Sequence, residues 1–446
     1  MINRLRTIWT IPDLRNKILF TIGMLLLVRV AAFVPVPGVP ASAISTLLSN
    51  NTSLQQFFGL LDVFSGGSFS TFSIIAIGVY PYITASIVVQ LLQGIIPALG
   101  AWQREGEIGQ NRLAQLTRYI TVPLALLQAF GQMAIISQLD PTLAAQFNLL
   151  DPTKFVPTLG TMLSLTAGTM FLVWMGELIT ENGIGNGISL IIFANIMVKV
   201  PQEIGSSLIS GSSTGSGIDN GSIISFLESL ALYAVMTLVM VYVYQAQRRI
   251  PVQYPTKRQI GATIRGGQET TYIPLQVNSA GMIPLIFASS ILLLPVVIAQ
   301  FLTLSTNKTL VNWFGNVRVF LDSTNWWYWL IYGLLVFAFT YFYAIVLWEQ
   351  QNTAENLQKQ GAFIPGIRPG PRTAEYLYRV LKYITFGGAI FLGVVAVAPA
   401  LLTTSANNSN NILQAASLLI IVGVVLDTVK QLEAQMVMRN YSGFLR

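Results

Sequence analysis

The sequence predicts an all-α polytopic membrane protein of ten transmembrane helices with both termini on the cytosolic side. Composition is the first observation behind this. Of 446 residues, 53% are hydrophobic and only 10% charged, with a mean hydropathy of +0.61, whereas a soluble domain carries roughly 25% charged residues. The second is a series of apolar runs about as long as a bilayer is thick. The third is the placement of the cations, which alternates with those runs.

In order, the runs are Ile18 to Val34, Phe72 to Leu92, Tyr119 to Ile136, Leu159 to Ile179, Ile188 to Val200, Ile223 to Tyr244, Met282 to Leu302, Trp326 to Trp348, Tyr383 to Leu402 and Ile412 to Leu426. The fifth and tenth are short and borrow from flanking residues or lie deep in the protein. The N-terminal MINRLRTIWTIPDLRNK lacks a signal-peptide cleavage pattern and reads as a retained cytosolic tail. With ten spans, twenty lysines and arginines fall inside. They lie in the N-terminal tail, around Arg104 to Arg118, in the long loops Gln245 to Tyr272 and Glu349 to Arg379, and towards the C-terminus. Outside fall only Lys154, Lys199, Lys308 and Arg318. One span more or fewer destroys this asymmetry. Trp326, Trp327, Trp329 and Trp348 bracket the eighth span as an interfacial belt does.

The second run has an unusual prelude. Phe57 to Phe64 (FFGLLDVF) is apolar but too short to cross, and carries Asp62. Ser65, Gly66 and Gly67 join it to the run as a flexible joint, because glycine accepts backbone angles that other residues avoid. A short apolar helix hinged to a span folds back into a membrane protein, occupies a cavity and can swing out. Much of the remaining chain reads as the wall of that cavity.

Conventional chemistry is nearly absent. There is no cysteine and no histidine, which removes thiol chemistry, disulfides, the commonest metal ligand and the commonest general base. No paired carboxylates, nucleophile–base constellation, phosphate loop or metal set is recognisable, so neither catalytic residues, metal sites nor cofactors are expected, and the chain does not read as an enzyme. Charges in or beside spans are few: Arg29, Glu177, Glu228 and Asp427. An arginine such as Arg29 ordinarily pairs with backbone or lipid headgroups.

Aliphatic pairs at i, i+4 lie on one face of the second span (Val79, Ile83) and of the fifth (Ile188, Ile192), with Ile286 and Ile420 in the seventh and tenth. Branched aliphatic rings make dry constrictions, although apolar pairs fill every transmembrane helix. Pro81, Pro284 and Pro399 are expected to break or kink their helices. Gln90, Gln93, Gln128 and Asn278 read either as ordinary interhelical hydrogen bonding or as a polar seam that can part. In the second cytosolic loop, GAFIPGIRPGPRTAEY presents Arg368 on a tip stiffened by Pro365, Pro369 and Pro371, with turns at Gly366 and Gly370. Such a tip suits docking, while the basic residues also serve simply to set topology. An even division of ten spans permits a five-plus-five inverted arrangement.

Five strings in order carry a resemblance to the SecY family, the channel subunit of the bacterial-type protein translocase. They are FSGGSFSTFSIIAIGVYPYITASIVVQLL (Phe64 to Leu92), GIGNGISLIIFANI (Gly183 to Ile196), RRIPVQY (Arg248 to Tyr254), YIPLQVNSAGMIPLIFASSILLLP (Tyr272 to Pro295) and GAFIPGIRPG (Gly361 to Gly370). The resemblance covers nearly the whole chain. It implies a SecY-like channel of two pseudo-symmetric five-helix halves, residues 1–200 and 201–446. Val79, Ile83, Ile188, Ile192, Ile286 and Ile420 would form a pore ring. Phe57, Phe58, Leu60, Leu61 and Phe64 would belong to a plug, swung on Ser65, Gly66 and Gly67. Gln90, Gln128 and Asn278 would lie at a lateral gate between the second and third and the seventh and eighth spans.

The same resemblance assigns Arg248, Arg249, Lys257 and Arg258 in one loop, and Arg368, Pro369 and Gly370 in the other, to docking of the ribosome or the SecA motor ATPase. It also implies SecE-type and SecG-type small membrane subunits, signal peptides and nascent chains as partners, and lipid as the destination of membrane segments. The expected location is the bacterial plasma membrane, or the thylakoid membrane, since the substitutions look closest to cyanobacterial or plastid-type members. Valine at position 79 departs from the family's isoleucine, and the outer loop Ser206 to Ser222 matches nothing assignable. Two other readings are an ion-coupled solute transporter with inverted repeats, which calls for polar coordination at broken midplane helices, and an insertase-only subunit that uses the seam without opening a pore.

Overall fold

The computed structural model describes residues 11–37, 62, 65–139, 155–210, 220–260, 263–281, 283–289, 291–292, 295, 320, 325–351, 353–403 and 414–442. Two compact units emerge. One comprises Met1–Ala234, Ser290–Asn325 and Asn410–Arg446; the other comprises Val235–Ser289 and Trp326–Ser409.

The first unit is built on α1 (Pro12–Ala31), α2 (Tyr80–Ile95), α3 (Pro97–Arg104), α4 (Glu107–Leu139), α5 (Phe155–Asn182), α6 (Gly187–Ser210), most of α7 (Asn220–Gln245) and α11 (Gln414–Ser442). Prolines open α1, α2 and α3 in their first turn, where the missing N–H would have had no helical acceptor. Helix α2 packs along α4, α4 along α5, α5 along α6, and α6 along α11, while α1 lies on α5 and α6. Glycines set the closest approaches. A Cβ on Gly168 of α5 would collide with the carbonyl of Ile74, and one on Gly187 with the carbonyl of Gly176. Thr21 of α1 joins this packing: its hydroxyl donates to Lys17 O (2.8 Å) and accepts from the buried Ile184 N–H (3.2 Å).

The second span differs from the expected helix over Phe72 to Leu92. Helix begins only at Tyr80, and Ser68 to Val79 runs as successive tight turns with an isolated bridge between Pro35 and Ser73. Phe69, Phe72, Ile75, Ala76 and Ile77 in this stretch are all buried. Its backbone is paired locally and with the end of α1, through Val36 N–H to Phe72 O and Ile74 N–H to Val34 O, both 3.0 Å. Non-helical backbone at membrane depth is stable only when enclosed by protein in this way. Phe72 adopts φ 44° and Gly78 φ 67° within the turns. Pro81 accordingly sits at the start of a helix rather than kinking one. Prolines lie inside α4 (Pro123) and α6 (Pro201). Pro284 falls in the helical stretch 283–289, and α10 is assigned through Pro399.

The second unit contains the end of α7, a β-hairpin of β1 (Gln247–Ile260) and β2 (Thr263–Gln276), the stretch 283–289, and α8 (Trp326–Gln351), α9 (Thr353–Lys359) and α10 (Pro371–Thr403). Helices α8 and α10 pack together, closely enough that a Cβ on Gly333 would press on Val397. The first basic loop is therefore an antiparallel hairpin, registered from Gln247↔Gln276 to Ile260↔Thr263. Trp326 and Trp327 are exposed, as a belt requires. Trp329 is buried edge-on to Tyr328 and Tyr332, and Trp348 packs against the core beneath the loops. The belt is thus only partly lipid-facing. Among the described residues three helices are long and apolar enough by themselves to cross a membrane: Phe155–Asn182, Trp326–Lys359 and Pro371–Ala398.

Candidate functional site: a glycine hinge, an aliphatic wall and a docking platform

The hinge is well defined. Gly66 and Gly67 have φ 68° and 86°, left-handed angles that a residue with a Cβ adopts only at a cost. Gly67 N–H donates to Asp62 O at 2.8 Å, and the Ser65 hydroxyl bonds Asp62 O while accepting from Phe69 N–H. Asp62 accepts from Ser70 N–H at 2.9 Å through one carboxylate oxygen and pairs with Lys199 of α6 through the other. Arg29 of α1 donates to Gly66 O at 2.8 Å and lies 5.3 Å from the centroid of the Phe33 ring. Arg29 thus pairs with backbone, and that backbone is the hinge. Phe57, Phe58, Leu60, Leu61 and Phe64 lie outside the described residues.

In the first unit, Val79, Ile192 and Ile420 are buried, and Ile83 and Ile188 half-buried. Val79 caps α2, and its carbonyl accepts from Ile83 N–H at 3.1 Å, so the i, i+4 pair straddles the helix start. Ile188 lies over Gly176, where a Cβ would meet its Cγ1 at 2.7 Å. Ile286 belongs to the second unit and is buried there. Gln90 on α2 and Gln128 on α4 stand on neighbouring helices. The sequence reading missed Gln132, one turn beyond Gln128. The buried Oε1 atoms of Gln90 and Gln132 accept no hydrogen bond among the described residues. In the second unit Asn278 is buried; its amide donates to Gly281 O at 3.2 Å, and its Oδ1 is likewise unmatched there. Buried amides with unmet capacity are held at a cost and gain by new partners.

The two long basic loops meet in one structure. Gln253 of β1 and Phe363 exchange backbone hydrogen bonds of 2.9 and 3.0 Å. Beneath them Ile250, Val252, Leu275, Leu357, Ala362, Ile364 and Leu377 form a buried cluster. Arg248, Arg249, Arg368 and Pro369 are exposed on this base. Lys257 and Arg258 pair in register with Gly266 and Arg265 towards the hairpin end. Gly370, at φ 107°, is buried and turns the chain into α10; Thr373 bonds back to Arg368 O at 2.9 Å. The sequence reading did not foresee an ion pair between α4 and α5, Arg118 to Glu177 at 2.6 Å.

Buried aliphatic side chains and a two-glycine hinge in the first unit, with a basic loop base in the second, are features of a channel-type membrane protein. The SecY family profile matches residues 73–429. The protein translocase subunit SecY of Streptomyces scabiei is 41% identical over 439 residues, covering 98% of each chain. That of Halalkalibacterium halodurans is 41% identical over 451 residues, covering 100% of each. This chain belongs to the SecY family. Solved structures share its fold at lower identity. A protein-conducting channel matches with TM-score 0.58 at 17% identity, over 95% of this chain and 93% of the other. A SecY structure whose plug domain stabilises the closed state of the translocation channel matches with TM-score 0.61 at 18% identity, over 95% and 92%. Sec61 of a canine ribosome–channel complex matches with TM-score 0.54 at 18% identity, over 95% and 93%.

Proposed function

We propose that this chain forms the pore of a protein translocation channel, passing unfolded polypeptides across the membrane and releasing membrane segments sideways into lipid. The observation that carries the reading is the two-glycine hinge, whose left-handed angles and tethers fix the joint of a short apolar segment inside the first unit. In this reading Phe57 to Phe64 is the plug. Val79, Ile83, Ile188, Ile192, Ile286 and Ile420 seal around a passing chain, because aliphatic side chains conform to a changing cross-section and offer ions no coordination. Gln90, Gln128 and Asn278 mark the seam that a signal helix enters, where its polar groups satisfy amides left short of partners. The two inverted halves divide near residue 200. The pore performs no covalent chemistry.

Directionality comes from outside. The shared core beneath Arg248, Arg249 and Arg368 makes one rigid platform for a ribosome or a SecA-type ATPase, with Lys257 and Arg258 extending it. SecE-type and SecG-type subunits brace the helices. Both termini are cytosolic, in the plasma or thylakoid membrane.

The test is ion conductance in planar bilayers of the chain with its small subunits, intact and with residues 56–66 deleted. Deletion is expected to raise the resting open probability. If both forms stay silent even with signal peptide added, the pore reading falls and an insertase-only role gains.

A further inference from the structure

We propose that Asp62, Lys199 and Arg29 form an electrostatic latch on the hinge, released when α6 moves. The inference rests on the plug reading above.

Three apolar segments carry one charge each. Asp62 is the sole charge of Phe57 to Phe64, Arg29 of Ile18 to Val34, and Lys199 of Gly187 to Val200. Both cations reach the joint, Arg29 at the Gly66 carbonyl and Lys199 at the Asp62 carboxylate, though the partners are 37 and 137 residues apart in the chain. A charge in an otherwise apolar segment is costly to bury unless paired, so two cations from two helices tethering one short joint form a built feature. Lys199 and Asp62 side chains are 17% and 12% exposed, so water screens the pair little.

The glycines make room for the cations. A Cβ on Gly67 would lie 3.1 Å from Lys199 Cε and 3.2 Å from its Nζ. One on Gly66 would lie 3.0 Å from Asn195 Cα and 3.1 Å from Arg29 Nη1. Arg29 holds the joint from α1 through the Gly66 carbonyl, and Lys199 holds the segment itself from α6 through the Asp62 carboxylate.

Helix α6 also carries Ile188 and Ile192. Lys199 lies seven residues beyond Ile192 and eleven beyond Ile188, two and three turns at about 3.6 residues per turn, so all three share one helix face. A shift of α6 that widens the aliphatic constriction therefore draws Lys199 from Asp62. Once parted, each charge needs another partner or water, so the latch has a held and a released state with little between.

The experiment measures resting conductance of the full channel with its small subunits in planar bilayers, each variant normalised to its own conductance with signal peptide added. That normalisation separates gating from failed insertion. Lys199→Met keeps the stem and removes the charge; Asp62→Asn keeps the shape. Each is expected to raise normalised resting conductance roughly ten-fold, between the scale of an exposed pair and that of a fully buried one. The exchanged double variant Asp62→Lys/Lys199→Asp is expected to return towards the parent. In a background lacking residues 56–66, Lys199→Met is expected to add nothing.

The latch is overturned if deletion opens the channel while both single variants stay within two-fold of the parent. It is also overturned if Lys199→Met opens the deletion background equally, which would place the effect in α6 itself. If deletion alone changes nothing, the plug reading fails and the latch with it.

Discussion

Thr21 shows how one hydroxyl ties distant parts of the first unit together. Thr21→Val keeps the shape but leaves the buried Ile184 N–H without its acceptor. The expected loss is about 1–3 kcal/mol, read as a lower melting temperature in detergent. Glycines on two helices give a paired prediction. Gly168→Ala drives a methyl into the Ile74 carbonyl and is expected to cost about 1–3 kcal/mol, the scale of overpacking. Gly387→Ala on α10 meets nothing within 4 Å and is expected to be neutral or to stabilise by up to about 1 kcal/mol, since alanine is the better helix former.

Glu355 supplies the pH case. A hydrogen bond and the positive charge of Lys359 hold its carboxyl below the ordinary carboxylate value. A depressed acid contributes above its unfolded pKa and loses that contribution as pH falls through its folded one. A carboxyl NMR titration is expected to show the depressed midpoint returning to the ordinary range in Lys359→Met. Residues such as Val79, Ile192 and Ile420 were legible in the sequence as candidates by spacing and resemblance. The meeting of Asp62 with Lys199 was not, because no local pattern encodes a contact 137 residues apart.

At the scale of elements, the loop platform separates folding from the docking role proposed for it. Leu377 is fully buried at the base of α10 within the loop cluster, so Leu377→Ala is expected to cost about 2–5 kcal/mol and to loosen both loops, seen as faster amide exchange in β1. Arg368 is exposed. Arg368→Glu is expected to leave the melting temperature unchanged while cutting motor-driven transport of a secretory precursor severely. The hairpin itself was readable: Ile250, Val252 and Tyr254 alternate at period two, and the first two are buried. Its basic residues drew attention to topology instead. The second span was misread for a different reason. Phe72 to Ile77 is almost wholly buried, and an element buried all round shows no periodicity that separates helix from turns.

For the whole molecule, the hydropathy and the alternation of cations made the membrane class legible, because both reflect transfer free energies that act on every residue. Contacts group residues 410–446 with the first unit, a packing relation between distant segments that no local pattern encodes. A charge in the aliphatic wall tests the channel as a whole. Ile192→Lys is expected to depress secretion of a soluble precursor more than insertion of a membrane segment, compared in proteoliposomes.

The base of the docking platform has a mechanical consequence. The exposed tip at Arg368 leads within three residues into α10, a single helix of 33 residues, about 50 Å long at 1.5 Å per residue. Gln253 and Phe363 weld the hairpin to the same foot. A load applied to either loop is borne by both and delivered along one strut that runs past the thickness of a bilayer. Under the proposed docking role, two machines pulling on separate loops would be pulling on the same lever.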